Sequence, residues 1–251
     1  MNNLKELLEF RRAVRYYSNQ PIDPEVVKEC LETARLAPTA YNMQLFEMYH
    51  ITDKEMLKKF VPACLDQDSV ATAQQLVVFV TRQDLHRKRA KAMLAHEIEN
   101  VKRNSPPEKV EKRIKKWEAD YNKLMPLLYA RAWGLLGAFR KTLSLAVGLF
   151  RPMYRQTSEN DMRIDVHRSC ALAAQTFMLA MAEKGYDTCP MVGIDSLRIK
   201  KLLHLPYGAE INMVLSCGIR EERGIWGDRY RLPMEERSEE HTSELQSLVI
   251  I

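Results

Sequence analysis

Arg11-Arg12-Ala13-Val14-Arg15-Tyr16-Tyr17 packs three guanidinium groups into five residues, directly after an apolar helix-like run of Leu4, Leu7 and Leu8. Each guanidinium is a rigid, permanently charged fork suited to the paired oxygens of phosphate or carboxylate. Three such charges side by side repel one another unless an anion sits between them. A solvated basic face is the competing reading of any isolated run of this kind. Residues further along the chain decide between the two.

Downstream, Asp23-Pro24-Glu25 is a helix start: a side-chain acceptor at the cap, proline where no amide is needed, an acid in the first turn. Val27, Leu31 and Ala34 share one face, and Pro38 ends the helix near Ala37. Pro38-Thr39-Ala40-Tyr41-Asn42-Met43-Gln44 is then a polar turn. Residues 45–51 read as a strand, with Phe46, Met48 and His50 on one face. Asp53 caps a short helix to about Val61. Leu76-Val77-Val78-Phe79-Val80 reads as a fully buried strand, short, β-branched and without alternation.

From Asp84 the pattern turns helical and basic up to Arg103, breaks at Asn104-Ser105-Pro106-Pro107, and resumes from Glu108 to Lys123. Residues 84–155 thus form a helical excursion between two parts of one core, 1–83 and 156–237. A long helix runs from Ile164 to Lys184, with Ala171, Ala174, Met178 and Met181 on one side, as at a helix–helix subunit seam. Gly185 is its stop. Residues 188–195 read as a tight loop with Asp195 capping the next helix, and Ile211–Ser216 as the last strand. The segment Ser238-Glu239-Glu240-His241-Thr242-Ser243-Glu244-Leu245-Gln246-Ser247 fits nothing before it. It reads as translated sequencing-adapter sequence, so 238–251 is expected to be a non-native tail.

The 251 residues, 46% hydrophobic and 28% charged, have the composition of a folded globular protein. The formal net charge of +5 is uneven. Residues 82–116 hold 12 Lys/Arg against 5 Asp/Glu, net +7, so the rest of the chain is −2. The cysteines, Cys30, Cys64, Cys170, Cys189 and Cys217, are odd in number and without CxxC spacing, which points to reduced thiols and a cytoplasmic protein. The N-terminus has no signal-peptide core. Trp133–Phe150 is membrane-like, but Arg140-Lys141 interrupts it, so a buried helix or a lid is expected there rather than a span. Dinucleotide GxGxxG, P-loop, GxSxG and HExxH signatures are absent, and the histidines lack metal-ligand spacing. No side chain is a candidate for acid–base or nucleophilic catalysis, so an enzyme of this kind must take its chemistry from a cofactor.

Four stretches in order now carry a resemblance: Arg11–Arg15, Pro38–Gln44, Cys189-Pro190-Met191-Val192-Gly193-Ile194-Asp195 and Arg229-Tyr230-Arg231-Leu232-Pro233. Together they resemble the signature of the FMN-dependent nitroreductase family, over residues 4–80 and 160–233. The resemblance implies an α+β fold, a central mixed or antiparallel sheet flanked by helices, in an intertwined homodimer with FMN at the interface. It implies that Arg11, Arg12, Ala13 and Arg15, with Arg229 and Arg231, hold the FMN phosphate and ribityl chain. Pro38, Thr39, Ala40 and Asn42 would come from the partner subunit. Pro190, Met191, Val192 and Gly193 would lie along the flavin ring, and Asp66-Gln67 would meet its pyrimidine edge. Ala13 stands where a serine is common, Val192 where some relatives carry glutamate. The implied activity is NAD(P)H:acceptor oxidoreduction, a ping-pong hydride transfer through flavin N5 to a nitroaromatic, quinone or similar small molecule.

Two other readings stand beside it. The same fold serves reductive dehalogenation or flavin remodelling in relatives whose helical insert covers the flavin. From another class, the basic 82–116 helices could bind nucleic acid or an anionic membrane, with Trp133–Phe150 on the bilayer surface. Against nucleic acid, Glu97, Glu99, Glu108 and Glu111 interleave with those cations as in a solvated hairpin.

Overall fold

The computed structural model describes residues 3–238. The tail assigned to 238–251 therefore lies outside the described residues beyond Ser238.

Helix α1 (Leu4–Phe10) is followed by an extended stretch. Asp23 accepts from the Glu25 amide at the start of α2 (Pro24–Ala34), as the cap signature predicts. After the 38–44 turn comes β1 (Phe46–Ile51). The short helices α3 (Lys54–Ala63) and α4 (Asp68–Ala71) lead into β2 (Gln75–Thr81), every residue of which is buried. The excursion comprises α5 (His86–Asn104), α6 (Pro107–Ala119), a π-helical turn over Asp120–Leu124, α7 (Met125–Tyr129) and α8 (Leu135–Val147). Beyond it lie α9 (Glu159–Glu183), β3 (Asp187–Met191), α10 (Ser196–Leu202) and β4 (Glu210–Gly218).

The sheet order is β1-β2-β4-β3 and every pairing is antiparallel. Alternation along β2 sends Val77 and Phe79 to one face and Leu76, Val78 and Val80 to the other. The first face packs with Leu215 and Cys217 against α2 and α9, where Phe79 meets Phe177 at 5.8 Å between ring centroids. The second packs with Val214, Cys189 and Met191 against residues of α3 and α10. Helices on both faces explain the unbroken apolar run: there is no wet side. A third cluster, with Met43, Tyr121, Met125, Tyr129 and Met162, fastens the excursion to α9 and the 38–45 segment.

Four sequence expectations are corrected. Residues 188–191 are not loop but the edge strand β3; Pro190 is tolerated because an edge position can spare an amide. The helix expected from Ile164 begins at Glu159, because Ser158 and Asp161 form a reciprocal capping box upstream. Ala174 and Met181 are fully buried in the chain's own core, not on a seam; the outward face of α9 carries Ile164 and Leu172. And α8 is no buried helix: Leu135, Phe139 and Leu143 point to solvent while Gly137, Arg140 and Ser144 face the protein.

Candidate functional site

The extended stretch after α1 runs along the outer edge of β3. Ala13 bridges Thr188 in parallel, the Arg15 amide donates to the Gly224 carbonyl at 2.7 Å, and Tyr17 bridges Arg220. This lays Arg11 to Arg15 beside the strand that leads into Pro190–Gly193. A latch holds the arrangement. Arg220 donates through Nε to Asp187 Oδ1 at 2.8 Å and through its backbone N–H to Oδ2 at 2.9 Å. Its Nη2 reaches the Phe10 carbonyl at 3.0 Å, and its guanidinium lies 4.4 Å from the Phe10 ring. Asp187 is buried, so this pair is screened little by solvent.

The chain's last described segment returns to the same place. Arg229 Nη1 donates to the Leu8 carbonyl at 2.6 Å and Nη2 to those of Glu9 and Arg11 at 3.2 and 2.6 Å. It thereby satisfies carbonyls that the end of α1 leaves without amides. Arg12 Nη2 donates to the Gly227 carbonyl at 2.7 Å, and the Arg15 guanidinium sits 5.3 Å from the Trp226 ring. Five guanidinium groups thus gather from the two ends of the sequence. Among the described residues no carboxylate lies within 4.0 Å of Arg11, Arg12, Arg15, Arg229 or Arg231. Burial, then the charges of Arg229, Arg231 and Arg12, push the Arg11 guanidinium below its ordinary value, and Arg229 is lowered by burial, Arg12 and Arg231. The Glu9 charge offsets this in part at Arg229, and repulsion of this kind with no carboxylate in contact fits a site for an anion.

Gln67 ties the second loop to the first. Its Nε2 donates to the Cys64 carbonyl and to that of Gly193, both at 2.9 Å. Asp66 beside it is exposed and held at φ 55°. Val192 and Gly193 are exposed, and a Cβ added at Gly193 would meet nothing within 4 Å. Gln67 therefore ties Asp66-Gln67 to the exposed end of β3, and the Ala13–Thr188 bridge lays the arginine run along the same strand.

The 38–44 turn is built separately. Thr39 Oγ1 accepts from the Gln44 amide at 3.1 Å, the Ala40 amide reaches Ser169 Oγ at 3.5 Å, and Gln44 Nε2 donates to Asn42 Oδ1 at 3.0 Å. Among the described residues no hydrogen bond or ion pair joins this turn to the arginines. Tyr41, Asn42 and Gln44 have φ between 49° and 52°, and Leu65 and Asp66 between 55° and 58°. Positive φ outside glycine is costly and is enriched at functional turns; five such residues fall at these two turns, and Trp133 and His204 are elsewhere.

Beside Tyr41 lies a cavity of about 500 Å³, walled by Leu128, Tyr129, Met153, Tyr154 and Met162, with Asp165 as its one carboxylate. Tyr129 donates to Asp165 Oδ2 at 2.7 Å, and burial followed by the Asp165 charge pushes its phenol well above the usual value. No local signal marks these residues, nor the Asp187–Arg220 latch or Trp226. They come from elements distant in sequence, and only packing brings them together.

Residues 8–219 match the sequence profile of the Nitroreductase family. The chain belongs to the nitroreductase family. Curated relatives of this family member include MhqN of Bacillus subtilis (strain 168), named as an NAD(P)H nitroreductase. It is 26% identical over 228 residues, 91% of this chain and 93% of the relative. Another, from Thermus thermophilus and named NADH dehydrogenase, is 25% identical over 226 residues, 90% of this chain and 89% of the relative. Among solved structures, Bacillus subtilis YdfN superimposes with a TM-score of 0.69 at 21% identity, covering 94% of this chain and 98% of that one. An Exiguobacterium sibiricum protein solved in complex with FMN gives 0.66 at 20%, covering 96% and 98%. At these identities the structures speak to the fold: the α+β nitroreductase-like architecture expected from the resemblance is borne out.

Proposed function

We propose that this chain is an FMN-dependent NAD(P)H:acceptor oxidoreductase that works as a homodimer. The observation that carries the reading is the arginine cradle: five cations, no carboxylate partner, the run laid along β3. A phosphate monoester carries up to two negative charges and several acceptor oxygens, which is what Arg11, Arg12 and Arg231 lack. Arg229, already bonded to three carbonyls, fixes the end of α1 and contributes field more than new bonds. Arg15, stacked on Trp226, sets one wall. The residues present therefore fit a phosphorylated flavin, and the FMN complex of the Exiguobacterium sibiricum relative supports that choice.

Flavin, when bound, supplies two-electron transfer from a nicotinamide to an acceptor. The chain's own residues bind and orient. Pro190–Gly193 is the shelf for the ring, kept in position by Gln67, and backbone N–H groups there would stabilise charge developing on a reduced ring. Asp66 is placed to accept from a ring N–H. The strained Thr39–Asn42 turn, having no bond to its own chain's arginines, is offered to the site of a second copy. The cavity behind Tyr41 is the place for an acceptor: its phenol rings and thioethers suit a flat nitroaromatic or quinone, and its volume falls in the usual range for small-molecule sites.

Purified protein should carry a flavin absorbance that bleaches when NADPH or NADH is added without oxygen and returns on adding a quinone or nitroaromatic. A colourless protein that takes up no added FMN would overturn the reading. A coloured protein that neither nicotinamide reduces would keep the cradle and remove the activity.

A further inference from the structure

We propose that α8 and its two flanking tips dock this protein on an anionic phospholipid surface. The inference stands on the excursion alone and does not depend on the flavin reading. Helix α8 is amphipathic the wrong way round for a folded interior. Arg140 and Ser144 face the protein: Arg140 donates to the carbonyls of Thr157 at 2.9 Å and Ala130 at 3.1 Å and also to that of Leu127, and Ser144 Oγ pairs with Thr157 Oγ1 at 3.1 Å. Gly137 lets the helix close on Glu159, whose backbone N a Cβ there would meet at 2.5 Å. Its apolar side chains, Leu135, Phe139 and Leu143, share the opposite face at helical spacing and look into solvent. Trp133 before the helix is 101% exposed, and Leu149 and Phe150 after it are 79% and 90% exposed. A contiguous apolar face of this kind marks an interaction surface.

Charge chooses the occupant. From Tyr121 to Ser158 the chain has no Asp or Glu and six cations; Arg140 is buried, Arg131 pairs with Glu210 at 2.9 Å and Lys141 with Asp161 at 3.7 Å, which leaves Lys123, Arg151 and Arg155 without an ion pair among the described residues. Arg151, next to Phe150, is exposed and makes no ion pair among the described residues; the Arg155 guanidinium donates to the Gly148 carbonyl at 2.7 Å and likewise makes no ion pair among them. A second copy seated on the same face would bring no carboxylate from this acid-free stretch to Arg151 and Arg155. A bilayer rich in anionic headgroups instead takes the aromatic and leucine side chains at the acyl boundary and the cations at the phosphates. With 13 residues, α8 is about 20 Å long, short of a roughly 30 Å hydrocarbon core. It lies on the surface, and no described helix is long and apolar enough to cross. This keeps the bilayer contact expected of Trp133–Phe150 and does not call on the 82–116 hairpin, where Lys102 pairs with Glu99 at 2.8 Å and Lys115 with Glu111 at 2.6 Å.

The test is co-sedimentation of the full chain with phosphatidylcholine vesicles, with and without phosphatidylglycerol, alongside oligomeric mass. Binding should appear with phosphatidylglycerol and weaken as salt is added. The double variant Phe139→Glu/Leu143→Glu should lower partitioning by at least about tenfold. Arg151→Glu, which touches no packed residue, should lower it by about fivefold or more on anionic vesicles only. FMN content should stay unchanged in both, because among the described residues no hydrogen bond or ion pair joins α8 or Arg151 to the arginine cradle. The proposal is overturned by failure to bind anionic vesicles at low salt, or by equal binding to pure phosphatidylcholine. It is also overturned if the double variant changes the oligomeric mass while vesicle binding persists, since the cover is then a second copy.

Discussion

Arg11→Met separates an anion site from a structural salt network, because the two predict opposite signs. Arg11 is half-buried, its guanidinium makes no hydrogen bond or ion pair among the described residues, and it feels the charges of Arg229, Arg231 and Arg12. Methionine keeps most of the stem's packing and removes only the charge. In the ligand-free protein this relieves repulsion, so stability should stay level or rise by a few tenths to about 1 kcal/mol, and the gain should shrink as salt screens the cluster. In the complex the same change deletes a charge-assisted bond to phosphate, on the order of 1.5–3 kcal/mol, or roughly 10- to 150-fold in FMN affinity. Thermal unfolding of the FMN-free variant at low and high salt reads the first effect; fluorescence titration with FMN reads the second. Loss of apo stability with unchanged FMN affinity would refute the assignment, since Arg11 would then be holding the fold and not a ligand.

Three further outcomes test the frame around that site. Asp187→Ala leaves the Arg220 guanidinium without its buried partner and should cost about 3–5 kcal/mol in chemical denaturation; a loss below about 1 kcal/mol would mean the latch is idle. Glu210 accepts from Arg131 at 2.9 Å and pairs with Arg163 and His167, and those partners, His167 first, hold its carboxyl down at about 2. A depressed carboxylate stabilises above its unfolded value near 4.5 and loses that contribution as pH falls toward 2. Glu210→Gln should therefore flatten the acid limb of stability between about pH 5 and 2 by on the order of 2 kcal/mol after solvent screening, and an unchanged limb would count against the pairing. Ala174→Glu should abolish folding rather than split a dimer, as the site is fully buried against the sheet; a folded variant with native circular dichroism and half the mass would restore the seam.

Local chemistry was legible. Asp23-Pro24 starts α2 as the cap rules require, Val77–Val80 is buried on both faces, and Asp195 accepts from the amides of Leu197 and Arg198. The arginine run called for an anion, and Arg12 and Arg229 do bring residues 8–12 and 227–229 together. What escaped depends on partners distant in sequence. Pro190 argued for a loop until the sheet order made β3 an edge. Ala174 and Met181 carry the small and adaptable side chains of a seam, yet the β2 face takes them. The apolar letters of 133–150 argued for burial, because periodicity reports that a helix has two faces and not which one meets the protein; Arg140 and its three carbonyl acceptors decide that.

The cradle is also a clasp. Arg12 reaches Gly227 across 215 positions of chain, and Arg229 reaches Arg11 across 218. During synthesis Arg11 and Arg12 emerge long before Gly227 and Arg229, so the site closes only after the intervening core has been made. Contacts of such long sequence separation are slow to form. An anion that bridges both ends would therefore report on the whole molecule: its retention is a seal on finished folding.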